Sequence, residues 1–288
     1  MTEPVRRQAP AKLNLFLHVT GRRADGYHLL DSLVAFVDLG DVVTVRSAAA
    51  LELTVDGPFA AALAGGGDNL MLRAARALDA QRGAALALTK NLPVASGIGG
   101  GSADAAATLL ALRQLWELDI ADEALAAIGL KLGADVPACL RSTPAWLGGI
   151  GEDLQPAPAL PPTHVVLVNP GVPLATPEVF RAYAAAAQTF SPPGRAPAMT
   201  FVSAFVLASY LKSCRNDLEP VARFACPPVD EALRALASQP ACLLARMSGS
   251  GATCFGLFAS ALAAGRAVAQ IRQAEPGWWM EGTTLLLP

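Results

Sequence analysis

A glycine-rich stretch at residues 93–102, PVASGIGGGS, constrains this chain more than any other part of its sequence. It places four glycines within five residues, although glycine loses more backbone freedom on folding than any other residue. A predicted strand at residues 84–89 precedes it, and a predicted helix at residues 102–118 follows it with Ser102 as N-cap. Because helix N-termini attract anions through unpaired N–H groups and the helix dipole, we interpret the stretch as a nucleotide-phosphate loop.

Two common phosphate-binding motifs do not describe this stretch. The P-loop requires a lysine after its last glycine, and the dinucleotide fingerprint requires a third glycine where this chain has Ser102. A tight strand-to-helix turn without a ligand is the alternative, but four glycines are more than such a turn needs.

The composition narrows the class of protein further. A chain of 288 residues can bury a large core, as one large domain or two smaller ones. The net charge of −2 gives no basic footprint, so we expect no nucleic-acid partner. Five cysteines without a C-x-x-C pair indicate reduced thiols rather than a disulfide framework or a zinc site, and three scattered histidines argue against a His-based metal site.

The hydrophobic content of 53% raises the question of membrane segments. The uncharged run at residues 247–265 is long enough to span a bilayer, but Ser-Gly-Ser-Gly at residues 248–251 interrupts it. Residues 1–4 lack the apolar segment that is typical of a secretory signal. We therefore expect no membrane association and a cytoplasmic location.

The first strands carry the first candidate site residues. Residues 10–19 predict a half-buried strand that places the cation Lys12 and the amide Asn14 side by side on one face. An ordinary solvated face explains this pattern equally well. Two further strands, at residues 34–39 and 42–46, are predicted around a break at Gly40.

A carboxylate at residue 135 is a second candidate. Pro137 holds Val136 extended, so Asp135 falls at a break between two predicted elements. A carboxylate in this position is either a candidate base or simply a helix cap. Upstream, Asn69 is predicted to cap the helix that begins at residue 70.

The second half of the chain begins after a proline-rich segment. Residues 154–162 form the best candidate linker. Thr176 is predicted to be the N-cap of a helix with Pro177 in its first position. Residues 243–247 and 253–258 predict a hairpin around the Gly-Ser sequence.

Three stretches together resemble the motifs of the GHMP kinase superfamily, namely residues 10–15 (PAKLNL), residues 93–106 and residues 247–252 (MSGSGA). Residues 23–28 (RADGYH), 132–137 (LGADVP) and 216–219 (NDLE) resemble one member in particular, which phosphorylates a tertiary hydroxyl of a cytidine diphosphate-linked alcohol. The likeness extends from residue 9 to about residue 258.

The resemblance implies a two-domain α+β fold. The N-terminal α/β domain would be of the ribosomal protein S5 domain 2-like type, and the C-terminal domain a ferredoxin-like α+β domain. The corresponding division is residues 1–155 for the ATP-binding domain and residues 156–288 for the C-terminal domain. A monomer or a weak homodimer is expected.

The resemblance also implies ATP with Mg²⁺ as the cofactor. Asp135 would take the proton from the acceptor hydroxyl, with Lys12 beside it, and Asn69 and Lys90 would lie near adenine. The carboxylate of Asp104 would repel a phosphate, so we expect it to face away from the anion or to act through a cation. The residues that would hold the ATP phosphates are Pro93, Ala95, Gly97, Gly99, Gly100, Gly101 and Ser102, the last of which could also reach Mg²⁺.

The same resemblance implies which residues bind the substrate that accepts the phosphoryl group. Tyr27 and Phe180 would stack the cytosine of the substrate, and His28 would read its edge. The remaining substrate contacts would be Asn14, Ile150 and Thr176. Two alternatives stay open: a GHMP kinase with a smaller acceptor that has no base, and a non-catalytic nucleotide-binding protein on the same fold.

Overall fold

A computed structural model describes residues 3–63, 69–186, 188–194 and 200–287 of the chain. The strands are β1 (Val5–Arg22), β2 (His28–Ser47), β3 (Leu51–Asp56), β4 (Ala84–Thr89), β5 (Ala145–Gly148), β6 (Asp153–Pro156), β7 (His164–Asn169), β8 (Leu244–Met247), β9 (Cys254–Phe258) and β10 (Trp279–Thr284). The helices are α1 (Leu70–Leu78), α2 (Gly100–Leu115), α3 (Asp122–Leu132), α4 (Val136–Arg141), α5 (Thr176–Ala185), α6 (Ala204–Lys212), α7 (Glu219–Ala225), α8 (Pro227–Ala237) and α9 (Ala261–Ala274).

The contacts divide the chain into two compact units that interleave in sequence. The first unit contains Met1–Lys12, Leu39–Val94 and Gly99–Ser142, and the second contains Leu13–Asp38, Ala95–Ile98 and Thr143–Pro288. Strands β1 and β2 therefore contribute residues to both units. The predicted linear division after residue 155 stays a prediction, and this contact-based grouping does not follow it.

The first unit combines helices with paired strands. Strand β3 runs parallel to β4, with Leu51 opposite Ala84 and Asp56 opposite Thr89, and α1 lies in the connection between these two strands. Strand β4 also pairs antiparallel with the end of β2. Helix α2 packs against α1 and α4 and buries Leu109 and Leu112 completely. This packing anchors α2 within the first unit.

The second unit is built on an antiparallel sheet with the strand order β10-β7-β9-β8. Its core includes Val166, Val168, Leu236 and Phe258, and helices α8 and α9 pack on β7 and β9. Strand β5 pairs with the start of β2 and with β6. The fold is the α+β arrangement that the resemblance implies. No helix in the described ranges combines the length and the apolar character needed to cross a bilayer.

Several predicted elements are confirmed and others need correction. Residues 84–89 form a strand as predicted, and β8 and β9 form the predicted hairpin. The predicted break at Gly40 is wrong, because β2 continues through it. A side chain at Gly40 would place its Cβ 2.2 Å from the carbonyl oxygen of Ala9, so this glycine permits a close approach of β1 rather than a turn.

The boundaries of two helices and of the linker also differ from the predictions. Helix α2 begins at Gly100, so Ser102 lies within its first turn and the N-cap is Gly99. Helix α5 begins at Thr176 itself, and its N-cap is Ala175. The first residues of the predicted linker at 154–162 belong to β6 instead, because they pair with β5.

Candidate active site

Lys12 and Asp135 form an ion pair in the first unit. Lys12 lies on β1, and Asp135 directly precedes α4, where its side chain makes no capping hydrogen bond. The Lys12 Nζ donates to Asp135 Oδ1 at 2.7 Å, and the two side chains are 4% and 38% exposed. The contact places a positive charge directly beside the carboxylate. The structure therefore brings the predicted catalytic pair together and leaves the carboxylate accessible.

The glycine loop ends in a helix N-terminus, as predicted. Gly97 and Gly99 have φ values of 74° and 67°, in the left-handed region that favours glycine. The first helical hydrogen bond of α2 runs from the N–H of Ala103 to the carbonyl of Gly99. The preceding N–H groups, at residues 100–102, have no acceptor within the helix and suit an anion.

The same loop holds Ala95, a predicted phosphate contact, at a φ of 51°. A left-handed conformation is uncommon for residues other than glycine and costs about 1–3 kcal/mol, so the surrounding structure must maintain it.

Lys90 lies close to the start of α2, and its side chain is buried between two carboxylates. Its Nζ donates to Asp41 Oδ2 at 2.5 Å and to Asp104 Oδ2 at 2.8 Å. Burial acts to lower the pKa of Lys90, but Asp104 and Asp41 outweigh it and raise this pKa. Burial also raises the pKa of Asp104 to about 7 against the opposing effect of Lys90.

The carboxylate of Asp104 was expected to repel phosphates at this loop. In the structure it pairs with the Lys90 ammonium inside the first unit. The predicted adenine contact of Lys90 stays a prediction, and its ammonium is engaged by these carboxylates.

Ser248, in the second unit, connects the third motif to the first two. Its Oγ accepts from the N–H of Asn14 at 3.2 Å and donates to the carbonyl of Gly97 at 3.0 Å. A Cβ at Gly97 would lie 2.5 Å from the Ser248 carbonyl oxygen, so a side chain there is excluded. The Asn216 amide donates to the carbonyls of Met247 and Gly249 at 2.9 and 2.8 Å. The Gly-Ser sequence is therefore more than a simple hairpin turn.

The aromatic residues predicted for the acceptor lie in the second unit. The rings of His28 and Phe180 stack with centroids 5.3 Å apart and an interplanar angle of 25°, and Tyr183 meets His28 edge-on. The Tyr27 side chain is 61% exposed. Burial, and secondarily the charge of Arg22, lower the pKa of His28. In this structure, Phe180 therefore stacks on His28, and the predicted stacking of cytosine by Tyr27 and Phe180 stays a prediction.

The remaining predicted contacts are held by hydrogen bonds within the second unit. Asn14 Nδ2 donates to Ser32 Oγ at 2.9 Å, and the Ile150 N–H donates to the Glu152 carboxylate at 2.6 Å. Thr176 Oγ1 and Ser250 Oγ share a hydrogen bond of 2.7 Å.

Asn69 caps α1 as predicted, and its side chain accepts from the N–H of Met71 at 2.8 Å. The sequence analysis missed Asp41 as a partner of Lys90. Asp41 is one of three aspartates in β2, with Asp31 and Asp38, and no pattern in the sequence links it to Lys90.

Comparison with known proteins identifies the class that this fold and loop define. The family model described as GHMP kinases N terminal domain matches residues 69–143, and that described as GHMP kinases C terminal matches residues 207–277. A curated relative from Cereibacter sphaeroides is 54% identical over 282 residues, which cover 98% of this chain and 98% of the relative. The chain belongs to the GHMP kinases, as the sequence motifs indicated.

The likeness extends to one kind of GHMP kinase. The Cereibacter sphaeroides relative is named 4-diphosphocytidyl-2-C-methyl-D-erythritol kinase. A relative from Paracoccus denitrificans has the same name and is 55% identical over 280 residues, covering 97% of this chain and 96% of the relative. A crystal structure of 4-(cytidine 5'-diphospho)-2C-methyl-D-erythritol kinase is similar with a TM-score of 0.75 and 34% identity, covering 97% of this chain and 98% of that chain.

Proposed function

We propose that this chain transfers the γ-phosphoryl group of ATP to the 2-hydroxyl of 4-diphosphocytidyl-2-C-methyl-D-erythritol, in isoprenoid (terpenoid) biosynthesis by the non-mevalonate pathway. The names of the full-length relatives support the reaction. The observation that carries the proposal is the Lys12–Asp135 pair, an accessible carboxylate held by a buried ammonium in a kinase of this family.

Asp135 is the base in this mechanism. Its carboxylate accepts the proton of the 2-hydroxyl as the oxygen attacks the γ-phosphorus, and the bond from this phosphorus to ADP breaks so that ADP leaves. Lys12 offsets the charge that develops on the transferred group. Phosphoryl transfer depends mainly on positioning and electrostatic stabilisation, so no covalent enzyme intermediate is required.

The glycine loop is the site of the nucleotide. Its amides at the start of α2 would bind phosphate oxygens, while Asn69 and Lys90 would border adenine. The residues assigned to the phosphates are Pro93, Ala95, Gly97, Gly99, Gly100, Gly101 and Ser102.

Mg²⁺ fits this loop through oxygen ligands. Magnesium sites in kinases usually combine substrate phosphates and water with one or two protein oxygens. The half-buried Ser102 hydroxyl, in the first turn of α2, is such an oxygen, whereas Asp104 is buried against Lys90. When bound there, Mg²⁺ would neutralise negative charge on the phosphates.

The acceptor pocket distinguishes this function from those of related kinases. Phe180 and Tyr27 offer rings for stacking cytosine, His28 offers ring nitrogens for its edge, and Asn14, Ile150 and Thr176 complete the contacts. The stacked pair of His28 and Phe180 supports an aromatic base site. Small acceptors such as homoserine or mevalonate have no base to stack, so this pocket argues against them.

Three further properties belong to the proposal. The chain acts in the cytoplasm, works as a monomer or a weak homodimer, and divides functionally into residues 1–155 and 156–288. Size-exclusion chromatography with light scattering tests the second of these properties.

The decisive experiment measures ADP release from the purified protein with Mg-ATP. The acceptors are 4-diphosphocytidyl-2-C-methyl-D-erythritol, homoserine and mevalonate, each over a range of concentrations. We expect turnover with the cytidine compound alone. Turnover with another alcohol would keep the kinase and contradict the base pocket, while ATP binding without turnover of any acceptor would favour a nucleotide-binding protein without catalysis.

A further inference from the structure

The buried cluster of Asp41, Lys90 and Asp104 is not explained by stability. The three side chains are only 0%, 3% and 6% exposed, respectively. The second carboxylate oxygen of Asp104, Oδ1, has no hydrogen-bond partner among the described residues. Desolvating such charges opposes the Coulombic gain, and buried ion pairs can often be replaced by apolar residues without loss of stability. An arrangement of this kind is therefore better explained by the geometry that it imposes.

The cluster ties together the two ends of the glycine loop. At the beginning of the loop, Asp41 Oδ1 accepts from the N–H groups of Asn91 at 2.6 Å and Leu92 at 2.9 Å. At the other end, Asp104 lies in α2, shortly after the last loop glycine. The Lys90 ammonium binds both carboxylates and thereby fixes one end against the other.

The ammonium also lies close to the first residue of α2. A Cβ at Gly100 would be 3.1 Å from the Nζ of Lys90, which is closer than nearly all real Cβ contacts. Two carboxylates offset one ammonium, so the cluster supplies no net positive charge to a bound phosphate. Its contribution is the position of the helix N-terminus.

We propose that Lys90, held by Asp41 and Asp104, is a positioning residue of the nucleotide site. It fixes the start of α2 so that the amides of residues 100–102 converge on a nucleotide phosphate, and its ammonium acts on that phosphate through the position of the loop. This inference rests on the proposed function, because it takes the glycine loop as the phosphate site of ATP.

The test compares ADP binding and steady-state kinetics in the full-length protein. The double variant Lys90→Met/Asp104→Asn removes the ammonium and one carboxylate charge together and leaves Asp41 with its two N–H bonds. Because small misplacements at such sites are costly, we expect its Kd for ADP and its KM for ATP to rise at least about tenfold. The KM for the alcohol acceptor stays within about twofold, since the acceptor contacts are elsewhere. The single variant Asp104→Asn keeps the Lys90–Asp41 bond, and we expect a rise of about threefold.

Two controls separate positioning from stability. Leu109→Ala removes a fully buried side chain from α2 and lowers stability by making a cavity. Arg113→Met removes a cation of α2 and breaks its ion pair with the exposed Asp122 of α3. Both controls should bind ADP with the wild-type Kd at a temperature where they are folded.

The outcomes distinguish a failure of this inference from a failure of the proposed function. An unchanged Kd for ADP in folded Asp104→Asn and in the double variant would overturn the inference and reduce the cluster to a structural role. An equal rise in Leu109→Ala would also overturn it, because lost stability would then be sufficient. If the wild-type protein binds no ADP, both the proposed function and this inference fail.

Discussion

Two lysines of the first unit meet carboxylates in opposite ways. Lys12 contacts Asp135, which remains more than one-third exposed, whereas Lys90 contacts Asp41 and Asp104, which are almost completely buried. Both lysines are themselves buried. The difference lies in the partners: an exposed carboxylate can meet a substrate hydroxyl, and a buried one can only hold the protein in place. Residue type and ion pairing alone do not separate the two clusters, but the exposure of the acidic partner does.

The largest expected effect is on kcat and tests the Lys12–Asp135 pair, whose carboxylate is exposed. Asp135→Asn preserves the shape of the side chain but removes its ability to take a proton, so kcat should fall by about 10²–10⁴-fold. The assay is ADP release at saturating ATP and acceptor, with circular dichroism to confirm folding. In Asp104→Asn, kcat at saturation should fall far less. Equal losses of kcat in the two variants would remove the contrast between the clusters.

The second prediction concerns stability. Here the larger effect is expected at the buried cluster of Lys90, and the smaller one at the Lys12–Asp135 pair. Lys90→Met leaves two buried carboxylates without their cation, so we expect the free energy of unfolding to fall by about 3–5 kcal/mol. Lys12→Met leaves a carboxylate that water can reach, and the expected loss is about 1 kcal/mol or less. Urea denaturation of both variants gives the comparison. A Lys12→Met variant as unstable as Lys90→Met would contradict this interpretation of burial.

A third test compares two aromatic side chains of the second unit, Phe180 of the proposed base site and the exposed Phe224. Phe180→Ala removes one face of the aromatic site, and stacking of a base is worth about 1–3 kcal/mol. We therefore expect the KM for the cytidine acceptor to rise by about 5- to 150-fold, with the KM for ATP unchanged. Phe224→Ala is the matched control, because Phe224 is 92% exposed. A similar change in both variants would argue against the base pocket.

The smallest effect is a pH dependence at a group of intermediate exposure. Burial, and then Arg22, hold the pKa of His28 below 6.5 in the folded protein. Between this lowered pKa and the unfolded value, the unfolded chain binds more protons, so stability falls as the pH decreases through this window. Melting temperatures between about pH 7.5 and pH 5.5 should fall less steeply in His28→Asn than in the wild type. Parallel curves would show that His28 does not contribute.

Much of this fold could be predicted because its signals are local. The strand at residues 84–89 follows from its apolar pattern, and the cap at Asn69 follows from the preference of short polar side chains for helix starts. The pairing of Lys12 with Asp135, 123 residues apart in sequence, was predicted only through the family resemblance. Periodicity alone cannot bring such distant residues together.

The errors arise where tertiary contacts override local preference. Gly40 suggests a turn in isolation, but it serves the close approach of Ala9 in an uninterrupted strand. Ser102 is a good N-cap by residue type, yet the left-handed conformation of Gly99 starts α2 earlier. The burial of Lys90 depends on Asp41, which comes from another strand and leaves no sequence signal near residue 90.

The interleaved units restrict how this enzyme can be recombined with its relatives. The second unit takes residues 13–38 and 95–98 from the first half of the chain. A chimera that joins residues 1–155 of one parent to residues 156–288 of another would therefore build its second unit from two parents. There, the N–H of Leu17 bonds to the carbonyl of Arg215, and the N–H of Asp217 bonds to the carbonyl of Leu17. Exchanging these early segments together with residues 143–288 takes each compact unit from a single parent.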